Sequence, residues 1–117
     1  MTDPHAEASV VPSSIDVVED VALALELSQG RATGPAADAL RTRLRSYITA
    51  FATPAQGFAE SLDDSRARDI ALNTIRHAKS VASDAVVDPA ANLRLLAKAA
   101  EHTARYAAGF HHRQGGL

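Results

Sequence analysis

The stretch LRTRLRSYITAFATPAQGFAESL, residues 40–62, decides the fold class. Within it Leu40, Leu44, Ile48, Phe51, Ala55, Phe58 and Leu62 step by four, four, three, four, three and four. That spacing lines up one apolar face of a helix. The stripe runs straight through Pro54, whose ring removes one N–H donor and crowds the carbonyl of Ala50. Because the phase is the same on both sides, the pattern predicts one helix kinked near residues 50–54 rather than two helices. Gly57 argues the other way.

Upstream of this stretch, Pro35 follows Gly34 and suits a first helical position, where a missing N–H costs nothing. The segment Gln29 to Gly34 holds two glycines and breaks the chain. Before it, Ile15, Val18, Ala22 and Leu25 recur at helical spacing, with Ser13 or Ser14 as N-cap and Asp16 near the positive end of the helix dipole. Residues 1–13 have no periodicity and read as a flexible arm. Downstream, Asp64 or Ser65 caps a third helix with the stripe Ala67, Ala71, Ile75, Ala78, Ala82 and Ala85, widened by Ile70 and Val81. Asp88-Pro89 opens a fourth, lined by Leu93, Leu96, Ala97, Ala100, Ala104 and Ala107, with Gly109 as its stop. Residues 111–117 then read as a disordered tail. No stretch alternates with the period of two that a strand requires. The expected fold is all-α: an up-and-down four-helix bundle over residues 14–110, with a short acidic first helix and a proline-kinked second.

Composition narrows the classes further. The chain has 117 residues and no cysteine, so it forms no disulfide and no thiolate metal site. Its start carries no basic, apolar leader, and no segment approaches the roughly 20 apolar residues that span a bilayer. The expectation is a cytoplasmic protein away from membranes. Net charge is −2 but uneven: residues 1–30 hold six acids and no Lys or Arg, while all 12 bases lie beyond. Such asymmetry fits an acidic first helix packed beside the arginines of the second, or else a basic binding face. Alanine stripes bury little area per residue, so a homodimer is one remedy for marginal stability. Val86, Val87 and Phe110 suit such a contact, or cap the chain's own core.

Five histidines raise the question of a metal. Only His77 and His102 fall on predicted helices, and antiparallel folding puts them several residues out of level, too far for one ion. No metal and no cofactor are expected. His77 comes level with Ala50 and is a candidate partner for the carbonyl that Pro54 sets free. Level-matching also gathers Arg66, Arg68, Asn73, His102, Arg105 and Tyr106 at one end of the third and fourth helices. Guanidinium forks there suit a carboxylate or phosphate, so an anionic small molecule is the candidate ligand and His102, Arg105, Tyr106, Arg66 and Asn73 the candidate catalytic residues. Arg66 with Asp69 and Arg105 with Glu101 read equally as surface ion pairs. Tyr47, Lys79 and Arg94 meet at the other end. Arg41 and Arg45 share a face, but Asp38 and the acidic first helix offset them. With two Tyr and three Phe in the whole chain there is no base-stacking set, and nucleic-acid binding is not expected.

From about Asp16 to Phe110 the layout resembles a family of small actinobacterial helical proteins labelled as natural-product biosynthesis proteins. The segments that carry the likeness are Leu40-Arg-Thr-Arg-Leu-Arg-Ser-Tyr-Ile with Pro54 in mid-helix, Asp64-Ser-Arg-Ala-Arg-Asp-Ile-Ala, and Leu95-Leu-Ala-Lys-Ala-Ala-Glu-His. The chain differs at Ala55-Gln56, where the family often has an acid after the proline. High Ala and Arg with almost no Lys also suits a GC-rich genome. The resemblance implies a helical fold and a setting near specialised metabolism, and it carries over no catalytic residues. The expected function is a non-catalytic accessory or protein-interaction protein of that metabolism, working as a homodimer or with a protein partner. The alternative is a small enzyme or binder for an anionic metabolite.

Overall fold

The structure is a computed structural model that describes residues 12–115, with side chains described through residue 110. Among the described residues it contains four helices and no strand: α1 (Ser14–Leu27), α2 (Pro35–Glu60), α3 (Ser65–Ser83) and α4 (Pro89–Gly115). Residues 1–11 of the expected arm and part of the expected tail lie outside the described residues. Each start has a local cause. Ser13 Oγ accepts the N–H of Asp16 at 3.1 Å. Asp64 Oδ1 accepts the N–H groups of Arg66 and Ala67 at 2.8 and 3.2 Å, and Asp88 Oδ1 accepts that of Ala91 at 3.1 Å. Each bond satisfies a donor that the first turn of a helix leaves open. Pro35 follows Gly34, whose φ of +101° only glycine adopts without strain.

α2 is one helix through Pro54, as the in-phase stripe predicts. Ala50 lies exposed, so water can reach the backbone there, and His77 is exposed as well rather than turned into the interior. Two expectations need correction. α1 buries Val17, Ala24 and Leu27 with Val21 and the expected Leu25 packed against them, while Ile15 and Val18 are each 67% exposed. α4 does not stop at Gly109 but continues to Gly115. The reason lies in α2. A Cβ on Gly109 would sit 2.8 Å from Cε1 of Phe58, and one on Gly57 would sit 2.8 Å from Cε1 of Phe110. Two Gly-Phe dipeptides thus interlock, each glycine making room for the other helix's ring. Phe110 is accordingly spent on the chain's own packing, whereas Val87 stays 91% exposed.

α2 and α4 share the most extensive contact, and α1 and α3 each pack on both while not packing on one another. Arg41 near the start of α2 bonds Asn92 near the start of α4, and the Gly-Phe pairs join their far ends, so α2 and α4 run parallel. α1 runs antiparallel to α4, since Arg41 also holds Ala32, just after α1, beside Pro89. The result is a four-helix slab of 46 × 45 × 21 Å, about two helix diameters deep. Leu40, Leu44 and Ile48 of α2 meet Leu93 and Leu96 of α4 at its centre. Ala71, Ile75, Ala78 and Val81 close it from α3, while Ile70 and Ala85 of the expected α3 face lie exposed. Alanines at 55, 59, 97, 100 and 107 are fully buried. They let backbones approach closely but contribute less burial than leucines.

Candidate functional site

Three polar constellations and one apolar groove are candidates for function. The first is Arg41, only 4% exposed. Its Nε donates to Asn92 Oδ1 at 2.8 Å, one Nη to the carbonyls of Ala32 and Pro89 at 2.7 and 2.8 Å, and the other faces Asp38 at 3.4 Å. A planar fork with five donors suits this task, and a lysine would not span it. Every strong bond goes to the protein itself. The arginine that the sequence offers as half of a basic face is a structural latch.

The second joins α1 to α2. Asp20 accepts two hydrogen bonds from Arg43, at 2.9 and 3.1 Å, and a third from the Tyr47 hydroxyl. The bond from Arg43, helped by that from Tyr47, holds the Asp20 carboxyl below the usual carboxylate range. Burial and the bond to Asp20 push the Tyr47 phenol up to about 12. The acidic first helix therefore packs on an arginine of the second. Tyr47 is drawn away from Lys79, which lies in the α2–α3 cleft with Gln56 and Glu60, and from exposed Arg94.

The third is the expected anion cluster, which the structure only partly assembles. His102, Arg105 and Tyr106 meet Thr74 around a shallow depression of about 200 Å³. Arg66 stays exposed in the first turn of α3, outside it. Asn73 is exposed and accepts from Arg76 at 2.6 Å, and Arg68 reaches the carbonyl of Leu62 at 3.1 Å. Arg105 is exposed beside Glu101 at 3.7 Å, a long surface pair worth little. Thr74 donates to the carbonyl of Ile70 at 2.9 Å, and the Tyr106 ring lies 6.0 Å from that of Phe58, tilted by 31°. Among the described residues no group of three His, Asp or Glu could hold a metal ion. Nor, among them, is any helix long and apolar enough to cross a membrane.

The groove lies between α1 and α4. Val17, Val18, Val21, Ala22 and Leu25 form one wall and Glu101, Ala104, Arg105 and Ala108 the other, enclosing about 460 Å³. Val18, Ala22 and Leu25 are three of the four residues that periodicity assigns to the core face of α1. Their row is apolar and helical in spacing, yet it borders a groove that no other described helix fills. Family models, curated proteins and solved structures were all compared with this chain, and none matches.

Proposed function

We propose that this chain is a non-catalytic helical interaction protein that docks a partner in the α1–α4 groove. The observation that carries the reading is the second apolar row of α1. Val17, Ala24 and Leu27 already serve the core and Leu25 packs partly against it, whereas Val18 and Ala22 lie exposed on the groove wall. A row of that kind on an exposed face marks a place where another surface packs. Arg41, Arg43 and Tyr47 bridge elements of the chain to one another. A setting in the cytoplasm and in specialised metabolism is part of the proposal, the latter supported by the resemblance of the segments around Leu40, Asp64 and Leu95.

A second reading makes the protein a binder or small enzyme for an anionic metabolite, favoured by the convergence of Thr74, His102, Arg105 and Tyr106. Complementation of a gene-deletion strain separates the two. The double variant His102→Ala with Tyr106→Phe strips polar atoms from the depression and leaves the groove intact, so full function is expected. Val18→Asp places a charge in the groove at an exposed position and is expected to abolish function with unchanged helical circular dichroism. The reverse pattern overturns the interaction reading in favour of the metabolite.

A further inference from the structure

Two rows flanking the groove carry opposite charge at matching spacing. On α1 the row Ile15, Glu19, Ala22, Glu26 steps by four, three and four, and both charged members are acids. On α4 the row Arg94, Lys98, Glu101, Arg105 has the same steps, with three bases among four. Ala22, Glu101 and Arg105 line the groove itself, and helical periodicity sets Glu19, Glu26 and Lys98 beside them on its rims. Antiparallel packing with the wall midpoints level sets Glu19 opposite Arg105 and Glu26 opposite Lys98. All four are exposed. Glu26 lies 3.8 Å from Arg31 and Arg105 3.7 Å from Glu101, exposed long pairs that yield readily.

We propose that the occupant of the groove is a second copy of this chain, related by a two-fold axis running along the groove. The inference rests on the reading of the groove as a docking surface. A rotation about that axis lays α1 of one copy over α4 of the other and keeps every residue at its own level. Glu19 then faces the partner's Arg105 and Glu26 the partner's Lys98, while Ile15 and Val18, each 67% exposed, move out of water. An axis across the groove would instead lay α1 on α1 and set acid against acid, a repulsive arrangement. The symmetric contact is self-complementary, as a two-fold interface must be. Its apolar part is small, which places the dimer at the weak, concentration-dependent end of the range.

Sedimentation of the full chain from about 1 to about 500 μM tests this, a range that brackets affinities of weak dimers. The expected result is a rise from 12.3 kDa toward twice that mass. Val18→Asp is expected to remain monomeric throughout. Glu19→Arg and Arg105→Glu should each weaken the dimer at least about tenfold, since each sets like charges face to face twice. Mixing these two single variants should restore a dimer, because each then meets its opposite across the interface. A monomeric wild type, or single variants that dimerise unchanged, or a mixture that stays monomeric, would each overturn the two-fold arrangement. A monomeric wild type with Val18→Asp still inactive in cells leaves the docking reading standing with a different protein as partner. A dimeric wild type whose Val18→Asp variant complements fully leaves the dimer standing and removes its role in function.

Discussion

At the scale of single residues, three side chains carry more than their neighbours. Arg41 is buried and satisfies Asn92, Ala32 and Pro89 together. Arg41→Met keeps the apolar stem but leaves these acceptors without a donor. It should destabilise the fold by roughly 2–4 kcal/mol and lower the melting temperature by on the order of 10 °C. A loss of under about 2 °C would mean that water replaces the guanidinium at no cost. Tyr47 contributes at alkaline pH. Its phenol is pushed up to about 12, whereas in the unfolded chain it titrates near about 10. Between those values the folded protein holds a proton that the unfolded chain releases. This contribution is complete below about pH 10 and is lost as pH rises through about 12. Urea melts of wild type should show that decline, and the Tyr47→Phe variant should show less of it. Asp20 acts at the other extreme: its lowered carboxyl stabilises the fold above the unfolded value of about 3.9, and that gain disappears as pH falls through the folded value.

At the scale of elements, the interlocked Gly-Phe pairs decide how closely α2 and α4 approach. Gly109→Ala gains about 1 kcal/mol of helix propensity but drives a methyl against the Phe58 ring, an overpacking cost of roughly 1–3 kcal/mol. The net expectation is a lower melting temperature, with partial recovery when Phe58→Leu is combined with it. Additive effects in that double-mutant cycle, or a Gly109→Ala protein that melts above wild type, would count against the interlock. The same glycine shows where sequence reasoning reaches its limit. Stripes in α2 and α4, the caps at Asp64 and Asp88, and Pro54 in mid-helix are local patterns and were legible. Gly109 resembles a stop until Phe58, far away in the chain, explains it. The expected α1 row is turned partly outward, because Asp20, an acid, is held on the inner side by Arg43 and Tyr47 of another helix. Arg41 was legible only as a surface base, because its acceptors lie in a loop and at the start of α4. Of the expected anion cluster, neighbours on one helix came together, while Arg66 and Asn73 depended on the rotation of α3 and fell outside.

At the scale of the molecule, α2 and α4 form a parallel central pair with α1 and α3 on its flanks. α1 leans mainly on α4, lightly on α2 and not on α3. Its amides are expected to exchange through smaller openings than those of Leu40–Phe51 or Leu93–Ala100 when measured at low micromolar concentration, where a weak dimer dissociates. Equal protection in all four helices would contradict this ranking. The central pair also bears on how the chain finds its fold. Arg41 and Asn92 are 51 residues apart, so the most extensive contact joins helices that are not successive. Closing a segment of that length costs about 2 kcal/mol more entropy than closing a short turn. Refolding should therefore be slower than in a bundle of equal size whose tightest pairs are hairpins. The α2–α3 and α3–α4 hairpins close first in such a scheme, and α3 becomes the path along which the two central helices reach one another.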